Sequence, residues 1–390
     1  VWVGPAAGGR SMALRAFALA GLMATAAAGA LPDAFRLRED ACACDDAELC
    51  KPLDGPPVSD REIFGFGADN WQDWPDDVME RITTIAWGGT DVVCRAHSLG
   101  ARVVAAAPAG MPLTANSTER QAWIDTTVSL VVSGGYDGVV FDYESPLAPH
   151  DPRNVYYVEI ISETRSALHA IHDGYQVSVC IPWSPGLPLG IDGRAYDFRA
   201  LVAAADVGYQ MLYDTQSQIF GRCEASANSP LTLVNKGIQD YAGLDIPASK
   251  LILGTPFYGY SYPCQSMAAQ DTVCFLYPYD FRGVDCSDGA GTEIPYSSIM
   301  DVVLGRSSSS KMITDVMYED YLVSFYFNYA MNGDDTVYQM WYDTANSSAA
   351  KYAAAAAAGY RGWGPYRFDQ LDWVSQPELS RAMFEALMQD

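Results

Sequence analysis

The chain has 390 residues, of which 49 % are hydrophobic and 12 % aromatic, and its formal net charge is −24 at pH 7. This length and apolar content are sufficient for a substantial buried core, in one large domain or two smaller ones. The negative charge disfavours binding to nucleic acids or anionic membranes, because these surfaces are themselves negatively charged. The composition therefore favours a globular protein that acts on a neutral ligand or works in an acidic compartment.

The amino-terminal segment is typical of a secreted protein. Residues 13–30 form an apolar run of small side chains with arginines near its start, and Ala28-Gly29-Ala30 matches an A-x-A cleavage site. We interpret residues 1–30 as a signal peptide with its upstream residues, and residues 31–390 as the mature domain. No internal stretch approaches the roughly 20 apolar residues that a membrane-spanning helix needs. The protein is therefore expected in the lysosome or outside the cell.

The nine cysteines fit an oxidising compartment. Two clusters hold three cysteines each, at 42–50 and 264–286, and no histidine lies near either, which favours disulfides over a zinc site. Cys180, inside the apolar run VSVCIP, is predicted to be the odd, buried free thiol. Asn116 and Asn346 each begin an N-x-S/T sequence and are predicted N-glycosylation sites. We expect no metal and no cofactor, and we assign the four histidines no function.

Short runs of β-branched or aromatic residues predict eight strands, and helical periodicity predicts helices between them. The predicted strands are 62–68, 82–88, 102–108, 138–144, 176–182, 207–213, 251–257 and 359–366. The predicted helices are 118–133, 152–172, 197–205, 232–244, 347–358 and 377–388. This alternation predicts an α/β fold, a closed (β/α)8 TIM barrel, in which active sites lie at the carboxyl ends of the strands.

One connection is too long to be a simple loop. About ninety residues, at about 258–342, separate the seventh strand from the seventh helix, which starts at 347, and they are rich in Tyr, Cys and Gly. We predict a small folded α+β insertion with strands such as 322–329 and 337–342, held in place by cysteines.

The most informative motif is the octet DGVVFDYE at residues 137–144. Side chains alternate along a strand, so Asp142 and Glu144 point the same way, and two close carboxylates on an apolar strand are costly to bury. The mouth of a barrel tolerates such a pair, and their repulsion leaves one of them protonated and able to act as an acid. The alternative interpretation is a solvated strand end without a catalytic role.

The octet resembles the DGxxxDxE signature of glycoside hydrolase family 18, the chitinase-like family. The sequence Met211-Leu212-Tyr213-Asp214, at the end of the sixth strand, is similar to the M-x-Y-D motif of that family. Further stretches resemble its chitobiase branch in the same order, over about residues 42–385. They include Cys42–Cys50, Ala96–Val104, Trp183–Pro185, Tyr258–Tyr260, Phe281–Gly283 and Trp341–Asp343.

This resemblance implies substrate-assisted retaining hydrolysis, in which the acetamido group of the sugar attacks its own anomeric carbon. Glu144 would be the proton donor and then activate water, and Asp142 would orient the acetamido N–H and offset the positive charge of the intermediate. The phenol of Tyr213 would bind the acetamido oxygen, Asp214 would contact a sugar hydroxyl, and Asp137 would support the charge network behind the pair.

The chain departs from the family pattern at two positions. Val140 replaces the usual Asp at the fourth position of the octet. Tyr366 occupies the place of the Trp that normally lies beneath the bound sugar, although a shifted register would place Trp363 there instead. Trp183 and Tyr258 follow strand ends and are candidate sugar-binding aromatics at the mouth.

The expected function is hydrolysis of β-1,4 N-acetylglucosamine linkages. The substrates would be the di-N-acetylchitobiose core of asparagine-linked glycans, or chito-oligosaccharides, with release of single sugars from the reducing end by a monomeric enzyme. One alternative is an endo-chitinase or endo-β-N-acetylglucosaminidase. Another is a catalytically silent, lectin-like chitin-oligosaccharide-binding protein, which the presence of Glu144 disfavours.

Overall fold

The computed structural model describes residues 44–54, 61–187, 190–217, 222–268 and 272–389. Eight parallel strands close into a barrel, in the order β1-β16-β7-β6-β5-β4-β3-β2. They are β1 Glu62–Phe66, β2 Thr84–Ala86, β3 Arg102–Ala106, β4 Gly138–Phe141, β5 Gln176–Pro182, β6 Val207–Met211, β7 Leu251–Pro256 and, after the insertion, β16 Gly362–Tyr366. The predicted TIM barrel is confirmed, and the predicted signal peptide lies outside the described residues.

Helices surround the barrel. They are α1 Asp76–Met79, α2 Thr90–Ser98, α3 Ser117–Gly134, α4 Arg153–His169, α5 Phe198–Ala204, α6 Leu231–Ala242, α8 Ala345–Ala357 and α9 Pro377–Ala386. Helix α3 begins where the Asn116 side chain accepts hydrogen bonds from the backbone N–H groups of Thr118 and Glu119, and it ends at Gly135 in the left-handed conformation (φ 68°). The two short helices α1 and α2 were not predicted. No described helix is long and apolar enough to cross a membrane.

The predicted insertion is present and has an α+β composition. Its elements are β8 Tyr258–Pro263, β9 Ser266–Ala268, β10 Val273–Phe275, β11 Thr292–Pro295, α7 Tyr296–Val303, β12 Ser310–Met312, β13 Met317–Glu319, β14 Ser324–Met331 and β15 Val337–Tyr342. An antiparallel sheet runs in the order β11-β8-β15-β14-β12, with β13 also paired to β14. Because β8 starts two residues after β7 ends, this sheet grows from the carboxyl end of the barrel, next to its mouth.

The barrel interior is packed with apolar and aromatic side chains. Phe64, Val140, Tyr209 and Ile252 all belong to one buried cluster. The Tyr209 hydroxyl donates to the Gly364 carbonyl, 3.1 Å away across the barrel. A Cβ at Gly254 would lie 2.4 Å from the Tyr209 ring, so this large side chain requires a glycine on the neighbouring strand. Val140 therefore has an interior packing role at the position where the family usually has Asp.

The amino end of β4 corrects one prediction. Asp137 is completely buried there and accepts hydrogen bonds from the backbone N–H groups of Leu53 and Val103 and from His97 Nε2, at 2.7–2.8 Å. Asp142 follows the opposite end of the same strand, about 16 Å away at about 3.3 Å per residue. The expectation that Asp137 supports the charge network behind the catalytic pair is therefore wrong.

His97 has a structural role at this amino end of the barrel. Burial acts to lower the pKa of His97, but the hydrogen bond and the charge of Asp137 outweigh burial and raise it. The other ring nitrogen of His97 lies 2.7 Å from the Leu49 carbonyl oxygen. Together with the Cys44–Cys94 disulfide, this contact fastens the segment 44–54 to the floor of the barrel.

The cysteine predictions are confirmed for the described residues. Disulfides join Cys44 to Cys94, Cys223 to Cys286 and Cys264 to Cys274. Cys50 is also disulfide-bonded, and Cys180 is a buried free thiol. Both predicted glycosylation acceptors, Asn116 and Asn346, are exposed at the start of a helix, and their modification stays a prediction.

Candidate active site

Two adjoining cavities lie at the carboxyl ends of β1, β4, β5, β6 and β16. We call the first, of about 210 Å³, the Asp142 pocket; it is lined by Phe66, Asp142, Glu144, Cys180, Met211, Tyr213, Asp214, Glu293 and Tyr366. We call the second, of about 160 Å³, the Asp288 pocket; it is lined by Glu144, Pro182, Trp183, Asp192, Arg194, Met211, Tyr213, Asp214, Ser217, Tyr260, Phe281 and Asp288. Six of the eight sequence-predicted site residues line these cavities, and Glu144 lines both.

The two carboxyl groups of the octet differ in environment. β4 ends at Phe141, so both residues leave the barrel wall as the chain enters a loop. Burial, followed by the negative charge of Glu144, raises the pKa of Asp142 to about 7, while the charge of Arg194 opposes that increase. The Glu144 side chain is half exposed, and its Oε2 lies 3.3 Å from Arg194 Nη1. Asp142 therefore holds a proton below neutral pH, whereas the sequence analysis considered only Glu144 as the proton donor.

Cys180 lies beneath this pair. It extends from β5 into the same buried cluster as Val140, and its thiol donates a hydrogen bond to Asp142. That bond acts to lower the pKa of Asp142, because it favours the ionised form. The sequence analysis recognised only a buried thiol. Alternation along β5 was the available signal, since Ser178, Cys180 and Pro182 face inward together.

Tyr366 forms the floor of the Asp142 pocket. Its ring stacks against Tyr213 with centroids 5.3 Å apart and also contacts Phe66 and Trp87. Trp363 instead faces away from the pocket, where it stacks on Tyr352 and its indole N–H donates to the Leu387 carbonyl. The strand alternation thus resolves the register in favour of Tyr366. Its stacking on a sugar stays a prediction.

Asp214 is held at the mouth by the insertion. Its Oδ1 accepts hydrogen bonds from the hydroxyl groups of Tyr258 at 2.5 Å and Tyr260 at 3.0 Å, both on β8. Burial is the main cause that raises the pKa of Asp214 to about 7, with Glu293 adding to it and the two tyrosine hydrogen bonds opposing it. Tyr258 is only 2 % exposed. It therefore positions Asp214 and does not present a face to a sugar, which corrects its predicted role.

Several residues of the site come from loops that the sequence analysis did not connect to it. Arg194 follows β5, while Glu293 and Asp288 belong to the insertion. Arg194 also pairs with Asp192 at 2.6 Å, and Asp192 in turn accepts from the Ser217 hydroxyl at 2.8 Å. No local sequence motif predicts that these residues belong to the site, because only the folded loops bring them together. Within the described ranges, no group of three or more His, Cys, Asp or Glu side chains is arranged to hold a metal ion.

A third cavity, of about 310 Å³, opens on the other side of Asp142. Its walls are largely apolar, and its lining is Trp87, Ala106, Ala107, Pro108, Ala109, Gly110, Met111, Val140, Phe141, Asp142 and Tyr143. Trp87, which directly follows β2, lines this cavity and adopts a positive φ of 60°. Asp142 therefore borders two cavities.

Comparison with known families identifies the family to which the chain that carries this site belongs. The family described as glycosyl hydrolases family 18 matches residues 111–370, which contain both carboxyl groups, Tyr213 and Tyr366. The chain belongs to this family. It is therefore a glycoside hydrolase, and the resemblance seen in the octet and in the M-x-Y-D motif is confirmed.

Relatives resemble the chain over most of its length. The di-N-acetylchitobiase of Rattus norvegicus is 33 % identical over 92 % of this chain and 94 % of the relative. The di-N-acetylchitobiase of Homo sapiens is 31 % identical over 85 % and 83 %. A probable di-N-acetylchitobiase of Dictyostelium discoideum is 33 % identical over 89 % and 90 %.

Solved structures share the fold at lower identity. A class V chitinase of Nicotiana tobaccum superposes with a TM-score of 0.64 at 16 % identity, covering 84 % of this chain and 99 % of the chitinase. A family 18 chitinase of Cycas revoluta, in complex with allosamidin, gives 0.62 at 17 % identity, covering 83 % and 99 %. At this identity the likeness establishes the fold alone.

Proposed function

We propose that this protein hydrolyses the β-1,4 linkage between two N-acetylglucosamine residues, in di-N-acetylchitobiose or at the end of short chito-oligosaccharides. The observation that carries this proposal is the position of Glu144 on the wall shared by two small cavities, with Asp142 in only one of them. Relatives named di-N-acetylchitobiase support the choice of substrate.

The geometry suggests where each sugar lies. The sugar whose anomeric carbon reacts would occupy the Asp142 pocket, above Tyr366 and beside Tyr213. The leaving sugar would occupy the Asp288 pocket, so that the glycosidic oxygen lies at Glu144. Arg194 and the loop residue Phe281 line the far side of this second pocket, whose volume of about 160 Å³ favours one sugar over a continuing chain. This favours cleavage next to the reducing end.

The reaction then follows from the pair of carboxyl groups. When the acetamido N–H of the substrate binds Asp142, that carboxyl passes its proton to Glu144 and becomes the acceptor for the N–H. Glu144 protonates the glycosidic oxygen as the C1–O bond breaks, and the acetamido oxygen bonds to C1. Ionised Asp142 stabilises the resulting positive charge. Water then attacks C1 as the bond between C1 and the acetamido oxygen breaks, and Glu144 accepts a proton from the water. That proton returns to Asp142 when the product leaves, which restores the starting state.

We also infer the compartment. Three described disulfides require an oxidising environment for folding. The raised pKa values of Asp142 and Asp214, both about 7, favour activity at acidic pH, where the site is least charged. Both properties fit a lysosomal or secreted enzyme, and we propose that it acts as a monomer.

Product analysis tests the proposal. Purified protein is incubated at pH 5 with chitohexaose whose reducing-end sugar carries an isotopic label, and early products are separated by chromatography and identified by mass spectrometry. We expect labelled monosaccharide and unlabelled pentasaccharide first. Labelled di- and trisaccharides would instead indicate an endo-acting chitinase. Absence of cleavage with retained binding of the oligosaccharide would indicate a lectin.

A further inference from the structure

The Asp288 pocket contains buried polar atoms that lack a partner. Among the described residues, Trp183 Nε1, Arg194 Nε and Asp288 Oδ2 are buried without a hydrogen bond. All three side chains line this one cavity, and each residue is at most 9 % exposed. An unpaired buried polar atom is unfavourable, so three of them on one small cavity indicate a polar ligand that supplies the missing bonds.

The Asp288 carboxyl is held in a fixed position. The backbone N–H of Asp288 donates to the Gln216 carbonyl at 3.1 Å, and the neighbouring Ser287 hydroxyl accepts from the Gly289 N–H. The preceding Cys286 is joined by a disulfide to Cys223, outside the insertion. Two connections outside its own loop therefore fix this segment before any ligand binds, which lowers the entropy cost of binding.

A third connection joins this loop to the opposite wall of the pocket. Arg282 Nη1 donates to the Asp192 carbonyl at 2.6 Å. Asp192 in turn pairs with Arg194, which contacts Glu144. The loop that carries Asp288 is thus linked through a short series of contacts to the proposed proton donor.

The charge of the pocket selects the kind of ligand. Burial is the main cause that raises the pKa of Asp288 to about 8, and the charges of Asp214, Asp192 and Glu293 add to it. Asp288 is therefore a neutral carboxylic acid at acidic and neutral pH, able to donate a hydrogen bond. The Trp183 indole is a second donor. The positive charge of Arg194, the third unpaired donor on this cavity, is offset by its ion pairs with Asp192 and Glu144. The two neutral donors suit the oxygen atoms of an uncharged sugar, including an acetamido carbonyl.

We propose that Asp288 is a specificity residue for the leaving sugar, and that its carboxyl group, with the Trp183 indole, hydrogen-bonds the N-acetylglucosamine unit that departs from Glu144. This assignment rests on the proposed function, because it requires hydrolysis at Glu144. It goes further in placing the recognition of the leaving sugar on the insertion, whereas the chemistry lies on the barrel.

The test compares two substrates that differ only in the leaving group. Di-N-acetylchitobiose releases a sugar, whereas an aryl β-N-acetylglucosaminide releases a flat phenol that needs no polar partner. For Asp288→Ala we expect kcat/KM on chitobiose to fall about tenfold, mainly through KM, with the aryl substrate changed less than about twofold. Asp288→Asn keeps a donor and an acceptor, so its kcat/KM on chitobiose should stay within about threefold of wild type.

The controls separate the outcomes. Asp285→Ala removes an exposed carboxylate from the same loop and should leave both substrates unaffected. Cleavage of the aryl substrate reports a folded active site in every variant. Equal losses on both substrates, or no loss on chitobiose, would overturn the role of Asp288 alone. If wild-type protein cleaves neither substrate, the proposed function fails, and the assignment of Asp288 fails with it.

Discussion

The two ends of strand β4 hold two acidic side chains in opposite situations, one fully buried and one partly buried. At the amino end, Asp137 accepts hydrogen bonds from two backbone N–H groups and from His97. At the carboxyl end, Asp142 Oδ1 is buried without a partner, beside a second carboxyl group. A fully bonded buried carboxylate stabilises the fold, whereas an incompletely bonded one stores an unfavourable energy that a ligand can relieve.

The largest expected effect is on the chemistry at the carboxyl end. Glu144→Gln removes the group that delivers and accepts the proton, so we expect kcat to fall on the order of 10²–10⁴-fold on di-N-acetylchitobiose. Because the side chain is half exposed, the melting temperature should change little. Steady-state kinetics and thermal unfolding measure both quantities. A variant with wild-type kcat would remove Glu144 from the mechanism.

The second prediction tests the comparison directly. Asp137→Ala leaves His97 and two backbone N–H groups unpaired, and we expect a loss of roughly 3–5 kcal/mol in the free energy of unfolding. Its kcat should remain within about twofold of wild type at a temperature where the variant is folded. Asp142→Asn is the matched variant at the other end of β4. It should lower kcat at least about tenfold and leave stability unchanged or higher, because an amide needs no proton when buried.

Denaturant unfolding and kinetics on the same preparations show whether each end of β4 contributes to stability or to catalysis. If Asp137→Ala loses activity without losing stability, the floor of the barrel contributes to catalysis and the comparison fails. If Asp142→Asn is strongly destabilised, its carboxyl group is structural, like that of Asp137.

The pH dependence of stability and activity should be set by the acidic residues at the mouth of the barrel. In the folded protein Asp142 and Asp214 have pKa values of about 7, and Asp288 of about 8, all well above the ordinary value of 3.8. Folded protein therefore binds more protons than unfolded protein between about pH 4 and pH 8, and stability falls as the pH rises through this range. His97, with its raised pKa, acts in the same direction above pH 6.5.

We accordingly expect a higher melting temperature at pH 5 than at pH 8, and kcat/KM that declines as the pH rises through about 7. Combining Asp142→Asn, Asp214→Asn and Asp288→Asn should flatten the stability profile, since the three amides do not titrate. An unchanged slope in this triple variant would show that other groups cause it. Melting scans in matched buffers provide the measurement.

The smallest effect concerns Cys180. Its thiol hydrogen bond favours the ionised form of Asp142, so Cys180→Ala should raise the pKa of Asp142 and move the alkaline decline of kcat/KM to higher pH. The maximal kcat should change less than about threefold, since a thiol is a weak donor. A shift toward lower pH would contradict this contact. Cys180→Ser, which keeps a donor, is the conservative control.

The sequence predicted the parts of this molecule that depend on local pattern. Strand alternation and helix periodicity are properties of short segments, and they sufficed for the barrel, the insertion and the placement of Asp142, Glu144, Tyr213 and Tyr366 near one another. Asp137 was misplaced because a motif does not show that β4 spans the whole height of the barrel between its two ends. Tyr258 was misread because strand β8 turns its hydroxyl toward Asp214.

Other site residues depend on contacts between distant loops. Arg194 and Asp288 are separated by most of a hundred residues, and a disulfide and a few hydrogen bonds bring them to one cavity. The periodicity of hydrophobic residues does not predict that two such distant residues lie at one cavity. A raised pKa also arises only from the folded surroundings, so the sequence could indicate that one carboxyl group of the pair carries a proton, but not which one.

Strand β8 begins almost where β7 ends, so the insertion extends the barrel wall without a hinge between them. Under the proposed function, the barrel breaks the bond, and the appended sheet borders the departing product. Exchanging loops of that sheet offers a route to enzymes that accept other aglycones while retaining the same acid and the same intermediate.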